Sequence, residues 1–374
     1  MDKIEIKTHS SIAQIPASEW NALAGENPTL QHSYLLALEE SGCASAATGW
    51  QPSHLSATQE NRLVGAMPLY FKSHSYGEFV FDQAWAEAYE THGLNYYPKL
   101  LNAVPFTPVS GERILATTIE IRALLTEAAL NLAKESGASS FHCLFPTDSQ
   151  AHEFEAQGLM IRHGVQFHWK NECYRDFAHF LESMRHEKRK KILAERRKLT
   201  EAGLTYERIR GTNLTNADWQ FFYVCYLHTH HLYQSPVPLS LEFFLQIGRT
   251  MPEKILLIFG LRNGQRIAAG LDLFDSANLF GRTWGSLEYH PGLHFEICYY
   301  QSIEFCIENK IASFEGGAQG EHKLARGLLP VTTRSAHWLA HPEFSHAVEV
   351  FLQRERGGIE QYVGELSGSN PFKR

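Results

Sequence analysis

One short stretch of the sequence, SFEGGAQGEHKLARGLLP at residues 313–330, concentrates side chains that could perform ionic and acid–base chemistry. The paired glycines Gly316 and Gly317 would let another chain approach the backbone closely, because they carry no Cβ. Lys323 and Arg326 offer cations for a carboxylate or a phosphate. Carboxylate and imidazole groups beside them could take a proton from an attacking amine. The stretch is therefore a candidate site for binding an anionic group and for moving a proton.

The residues of this stretch divide into two predicted roles. The predicted catalytic residues are Glu315, Glu321, His322 and Lys323. The predicted substrate-binding residues are Gly316, Gly317, Gln319 and Arg326. The alternative is a charged surface loop that uses its glycines only to turn.

A second candidate, residues 81–115, is rich in aromatic side chains and is predicted to be a long loop. Aromatic loops stiffened by prolines, as in VPFTPVSG, are typical of a pocket wall. The predicted substrate-binding residues here are Trp85, Tyr89, His92, Asn95, Tyr97 and Lys99. The alternative is a connection whose aromatic side chains pack against a neighbouring element.

Residues 178–204 form the most basic segment of a chain whose formal net charge is -7, and we predict one helix there. Clustered Lys and Arg side chains neutralise phosphates of RNA or lipid. The predicted polyanion-binding residues are Arg185, Lys188, Arg189 and Arg196. A solvated helix with i, i+4 pairs such as Glu187–Lys191 explains the segment more simply.

Metal binding and covalent catalysis receive little support. His228 and His231 would share a helix face, but no carboxylate or cysteine follows at a matching spacing. The histidines in residues 290–296 fit a cleft wall better than a metal site. No GxSxG motif occurs, and no cysteine has a glycine-rich setting. We expect no metal, and a direct transfer whose rate comes from positioning and oxyanion stabilisation.

Composition and length limit the class of protein. A chain of 374 residues exceeds what one hydrophobic core usually supports, so two domains are expected. The acidic net charge argues against nucleic-acid binding by the whole surface. Six scattered cysteines predict free thiols in a reducing compartment. The N-terminal residues lack an apolar signal run, and no run is long enough to span a membrane. We expect a soluble cytoplasmic protein.

The elements that would position these residues occur twice. Residues 54–74 and 254–286 each predict a β-meander, and the Asn263–Gly264 pair is a strong hairpin signal. Helical apolar spacing follows at residues 117–137 and 294–310, and each helix leads into a strand. We therefore predict a duplicated α/β module, with domains at residues 1–171 and 172–374.

Two long stretches, FDQAWAEAYETHGLNYYPKLLNAVPFTPVSGERIL (81–115) and FEGGAQGEHKLARGLLPVTTRSAHW (314–338), resemble the FemAB-like, GNAT-related bacterial proteins associated with peptidoglycan biosynthesis or recognition. The resemblance covers roughly residues 10–365. It implies an α/β fold of tandem GNAT-like domains, each a mixed sheet flanked by helices and splayed to leave a cleft. It also implies an acyl or aminoacyl transferase that acts on a small-molecule or peptide amine, with acetyl-CoA, another acyl-CoA or aminoacyl-tRNA as donor.

The sequence departs from that resemblance in two places. Fem enzymes, which use aminoacyl-tRNA, insert a long helical hairpin, whereas only the single helix at 178–204 could contact tRNA here. The nearest match to the GNAT pyrophosphate loop is RTWGSL, in which Arg282 and Gly285 are weak candidates for CoA binding. A non-catalytic recognition module for peptide or cell-wall precursors, or an RNA-associated factor, therefore stay as alternatives.

Overall fold

The computed structural model describes residues 3–317 and 320–373, which form two compact units. Unit 1 runs to Gly164 and takes in Thr332–Tyr362; unit 2 comprises Val165–Val331 and the chain from Val363 onward. The return of residues 332–362 to unit 1 differs from the predicted division after residue 171. It depends on strand pairing between residues far apart in the chain, which a local pattern does not show.

Unit 1 alternates short strands and helices. Its strands are β1 (Glu5–His9), β2 (Trp50–Pro52), β3 (His54–Gln59), β4 (Arg62–Met67), β5 (Tyr70–Lys72), β6 (Lys99–Asn102), β7 (Leu115–Ala116) and β8 (Ser140–Leu144). Its helices are α1 (Ala17–Ala24), α2 (His32–Glu40), α3 (Gln83–Thr91), α4 (Ile119–Glu135) and α5 (Asp148–Ala156). The strand β9 (Met160–Lys170) has residues in both units.

Unit 2 begins with helices and continues with a meander. Its helices are α6 (Phe177–Ser183), α7 (His186–Glu201), α8 (Asn216–Leu232), α9 (Leu241–Thr250), α10 (Leu293–Phe295) and α11 (Gln301–Asn309). Its strands are β10 (Leu204–Arg210), β11 (Ile255–Arg262), β12 (Gln265–Phe274), β13 (Asn278–Ser286) and β14 (Ser313–Glu315). The strand β15 (Leu329–Leu339) and the helix α12 (Pro342–Gly368) have residues in both units.

Helix α4 packs one face against strands of both sheets of unit 1. One sheet has the order β1-β3-β4-β7, and in the other β2, β5, β6 and β8 are successive neighbours, with β6 and β8 parallel. Ile121, Leu125, Ala129 and Ala133 recur every four residues, so one face of α4 enters the core. The Thr118 side chain accepts a hydrogen bond from the Ile121 amide at the start of this helix.

Unit 2 is built on one mixed sheet. β10, β11, β12 and β13 are antiparallel neighbours, and β14 pairs in parallel with β13 and antiparallel with β9. β11 (ILLIFGLR) is buried except for its last residue, as expected of a central strand covered on both faces. At the predicted hairpin, Arg262 pairs with Gln265, and Asn263 and Gly264 take φ values of 52° and 78°.

The structure corrects two local expectations. The basic segment is not one helix, because α6 ends at Ser183 and α7 begins at His186, with Met184 buried between them. The aromatic segment is not one long loop, because it contains α3 and β6. Across the part of the chain that the structure describes, no helix has both the length and the apolar composition needed to cross a bilayer.

Candidate functional site

Two parallel strands of unit 2 pair only briefly and leave a cavity beyond. β13 and β14 pair from Asn278–Ser313 to Phe280–Glu315, where the register ends. The cavity beyond measures about 250 Å³. The lining residues are Gly270, Leu271, Asp272, Gly281, Arg282, Thr283, Trp284, His294, Ile297, Cys298, Tyr299, Gly316, Gly317, His322 and Lys323. The structure thus brings together residues that the sequence placed in separate candidate sites, Arg282 on β13 and the Gly316–Lys323 segment.

A β-bulge shapes the β13 wall of this cavity. The β12–β13 register passes from Leu271–Thr283 to Asp272–Gly281, so Arg282 is the extra residue. A bulge kinks a strand and re-aims its side chains, which suits a site wall. Gly281 lies close to Phe314 here, and a Cβ on it would be 3.2 Å from a ring carbon of that residue.

Lys323 places a buried amine beside Gly317, in the segment that follows β14. Its side chain is only 2 % exposed, and its Nζ donates a hydrogen bond to the Gly317 carbonyl oxygen at 2.8 Å. Burial lowers the pKa of Lys323 to about 8. The residue therefore provides a cation at neutral pH that has little water around it.

Histidines and a tyrosine lie beside this amine. The His322 Nε2 is 3.0 Å from the Tyr299 Oη. Partial burial, then Lys323 and Arg326, lower the pKa of His322, so its imidazole is neutral and can accept a proton. Burial also lowers the pKa of His294 to about 4.

Asp272 is a cavity residue that the sequence reasoning missed. Its carboxylate is buried near the end of β12, and its Oδ2 accepts a hydrogen bond of 2.7 Å from the Ser302 hydroxyl. Burial raises the pKa of Asp272 to about 7. The available signal was a single aspartate inside an otherwise apolar strand, IAAGLDLF.

A π-helical turn, Glu296–Tyr300, interrupts the helix between α10 and α11 and carries three cavity residues, Ile297, Cys298 and Tyr299. Such turns are frequent at functional sites. Burial raises the pKa of the Cys298 thiol well above its usual value, which makes it a poor nucleophile.

The other predicted residues of this segment lie elsewhere. The Arg326 guanidinium reaches the Glu195 carboxylate at 3.1 and 3.2 Å, stacks 3.3 Å from the Phe295 ring and does not line the cavity. Glu315 ends the paired region, and Glu321 is exposed outside the lining. Gln319 lies outside the described residues.

The aromatic segment of unit 1 contributes mainly to packing. Trp85 and Tyr89 project from α3 into a cluster with Tyr96 and Leu339. The predicted residue His92 stacks edge-on against Phe344. Tyr89 and Asn95 also line a recess of about 480 Å³. The hydroxyl groups of Tyr97 and Ser75 share a hydrogen bond of 2.8 Å.

Lys99 lies at the centre of a buried ionic network in unit 1. Its Nζ donates to the Ser75 hydroxyl at 2.7 Å, to Glu78 at 2.8 Å and to Asp82. Although burial opposes ionisation, these two carboxylates raise the pKa of Lys99. With its side chain fully buried, this lysine is held by its partners rather than presented to a cavity.

A sequence model of the FemAB-like family, described as peptidoglycan biosynthesis/recognition, matches residues 11–374. The chain belongs to the FemAB-like family. The resemblance inferred from residues 81–115 and 314–338 is thereby confirmed. No curated protein matches this FemAB-like chain in sequence.

Solved structures share the fold of this FemAB-like protein. FemX matches with a TM-score of 0.56 and 10% identity, over 92% of this chain and 100% of that chain. The C-terminal domain of a putative lysylphosphatidylglycerol synthetase from Agrobacterium fabrum matches with a TM-score of 0.56 and 8% identity, over 92% and 97%. L-PGS from Bacillus licheniformis matches with a TM-score of 0.52 and 10% identity, over 86% and 96%. The predicted α/β fold of tandem GNAT-like units is confirmed.

The basic segment of this FemAB-like protein is partly committed to internal contacts. Arg196 binds Glu296 and Glu304, and Arg185 donates to the Phe372 carbonyl at 3.2 Å. Lys188 and Arg189 are half-buried. Two of the four predicted polyanion-binding residues thus hold α7 in place, and their contact with a polyanion stays a prediction.

The segment that resembles a pyrophosphate loop, RTWGSL, lies largely in a strand. Arg282 and Gly285 both lie within β13, and a Cβ on Gly285 would lie 1.9 Å from the Cys225 carbonyl oxygen of α8. Gly285 therefore allows helix and strand to pack closely, which accounts for the glycine without a phosphate. Within the described residues, no group of three or more His, Cys, Asp or Glu side chains is arranged to hold a metal ion.

Proposed function

We propose that this protein transfers an acyl or aminoacyl group directly from an activated donor to an amine in the unit 2 cavity. One observation carries the proposal: the amine of Lys323 is held on the Gly317 carbonyl, inside a cavity formed where β13 and β14 stop pairing. A buried cation beside the gap between these two strands is suited to stabilise the oxyanion of an acyl-transfer intermediate.

The surrounding groups fit the remaining steps. Neutral His322 can take a proton from the attacking nitrogen, and the Tyr299 hydroxyl at 3.0 Å orients its ring. The raised pKa of Cys298 disfavours an enzyme-bound thioester. Direct attack of the amine on the donor carbonyl is therefore the mechanism these residues support.

The donor in this proposal is an acyl-CoA or an aminoacyl-tRNA, both of which are cytoplasmic compounds. The family description, peptidoglycan biosynthesis/recognition, supports a peptide amine as acceptor. In the tRNA case, the half-exposed Lys188 and Arg189 of α7 supply phosphate contacts.

The first test is the melting temperature of the full chain with acetyl-CoA, longer acyl-CoAs, free CoA and charged tRNA, since a ligand of the folded state raises that temperature. We expect one donor class to raise it, and Lys323→Met to reduce the shift. If every donor leaves it unchanged while a peptidoglycan peptide raises it, the protein is a non-catalytic recognition module and the proposal is wrong.

A further inference from the structure

Asp272 is a buried carboxylate that has no cationic partner in the part of the chain that the structure describes. It is 4 % exposed, lines the unit 2 cavity and has the Ser302 hydroxyl as its hydrogen-bond donor. Among the described residues, no lysine, arginine or histidine nitrogen forms an ion pair with it, whereas Glu296 in the adjoining helix has Arg196 at 2.8 Å. Because a buried unpaired charge is costly, this site suits a cation from outside the chain.

The β13 wall leaves space beside the Asp272 carboxylate. A Cβ built on Gly281 would be in van der Waals contact with the Asp272 Oδ1 at 3.7 Å, and the glycine leaves that space open. Trp284 and Tyr299 add aromatic faces to the same cavity, and such faces attract ammonium groups. A volume of about 250 Å³ admits a slim alkyl chain with an ammonium end.

We propose that Asp272 binds the ammonium group of the acceptor, which is a primary alkylamine such as an amino-acid side chain. The transfer step rests on the function proposed above, but the binding of the ammonium does not. Asp272 takes one proton from the ammonium nitrogen, and the neutral nitrogen attacks the carbonyl carbon of a thioester or ester donor. The carbon–nitrogen bond forms as the bond from that carbon to sulfur or oxygen breaks. His322 moves the second nitrogen proton to the leaving sulfur or oxygen.

The test uses n-butylammonium chloride as probe and 1-butanol as its uncharged counterpart, with binding to the full chain measured by saturation-transfer NMR. We expect saturable binding of n-butylammonium and at least tenfold weaker binding of 1-butanol. Asp272→Asn should weaken n-butylammonium binding at least tenfold. Asp275→Asn, which changes a carboxylate of the nearby turn, should leave it unchanged.

The pH dependence separates a charge effect from a structural one. Between pH 6 and 8 the probe stays protonated, so its affinity should rise as Asp272, whose pKa burial raises to about 7, ionises. Asp272→Asn should lack this rise. Cys298 and Cys306, from the helix packed on Asp272, stay neutral thiols because burial raises their pKa values. His294, His322 and Lys323 also line or adjoin the cavity, and the Asp272→Asn profile corrects for their titration.

Equal affinity of the wild type for butylammonium and butanol, or no saturable binding of butylammonium, would overturn the inference. So would an Asp272→Asn protein that binds the probe as tightly as the wild type does. If Asp272→Asn fails to fold, the wild type's preference for the charged probe and its pH profile decide whether the inference holds. Probe binding that depends on Asp272 in a protein without transfer activity would support this inference while rejecting the proposed function.

Discussion

The guanidinium of Arg196 donates two hydrogen bonds to the carboxylate of Glu296, one of 3.0 Å from Nε and one of 2.8 Å from Nη2. The Glu296 side chain is 1% exposed, so removal of the arginine would leave a buried carboxylate without its cationic partner, although the Gln301 amide would still donate to it. We expect Arg196→Ala to lower the free energy of unfolding by about 3 kcal/mol, measured by urea denaturation. Arg197→Ala is the matched control, because its pair with Glu201 is exposed, and it should change stability by less than about 0.5 kcal/mol. Equal effects of the two changes would contradict an internal role for Arg196.

Gly285 should be required for packing rather than for phosphate binding. We expect Gly285→Ala to destabilise the protein by about 2–3 kcal/mol, because its methyl group would overlap the Cys225 carbonyl. Gly357→Ala in α12 meets nothing within 4 Å and should be neutral or stabilising by up to about 1 kcal/mol. A Gly285→Ala protein of normal stability that has lost CoA binding would instead show that this glycine serves a phosphate site.

The buried network around Lys99 should dominate the stability of unit 1. Lys99→Met removes the cation shared by Glu78 and Asp82 and leaves Glu78 with the Lys72 Nζ at 3.9 Å, so we expect a loss of about 3–5 kcal/mol in urea denaturation. Lys7→Met, at an exposed ion pair with Glu5, should cost less than about 0.5 kcal/mol.

Acid should weaken the Lys99–Asp82 pair of this network in the wild type. Although burial opposes its ionisation, Lys99 holds the pKa of Asp82 at about 2. A depressed carboxyl pKa stabilises the fold above the unfolded value of about 4, and that contribution is lost as the pH falls towards 2. A Lys99→Met protein should lack this part of the acid dependence, and an unchanged acid profile would show that Asp82 does not depend on Lys99.

The rate of transfer should fall at alkaline pH. Burial lowers the pKa of Lys323 to about 8, so the cation proposed to stabilise the oxyanion is lost as the pH rises through this value. Lys323→Arg keeps its charge and should extend activity to higher pH, measured as initial rates from pH 6 to 10. If the rate of Lys323→Arg falls at the same alkaline pH as that of the wild type, a group other than Lys323 causes the fall.

Local patterns predicted the repeated elements well. Glu60 and Asn61 form the turn of one meander, and Asn263 and Gly264 form the turn of the other. All four have positive φ, which two-residue hairpin turns require at both central positions. The basic segment was predicted less well. The break after Ser183 depends on Met184 pairing with Phe372, a contact between residues far apart in the chain.

The candidate site was predicted in part for the same reason. Gly316, Gly317, His322 and Lys323 are neighbours in sequence, so their composition alone marked them. Asp272 was missed because the features that make it unusual come from elsewhere in the chain. Its hydrogen-bond donor is Ser302, and its place in the cavity depends on a bulge in β13.

Mass spectrometry tests acyl transfer directly, by detecting the product formed from an amine acceptor and each donor: acetyl-CoA, longer acyl-CoAs and charged tRNA. We expect the wild type to form an N-acylated amine with one donor class, and Lys323→Met to form at least about a hundredfold less, as for loss of an oxyanion donor. No amide from any donor, or equal amounts from the wild type and Lys323→Met, would contradict acyl transfer in the unit 2 cavity.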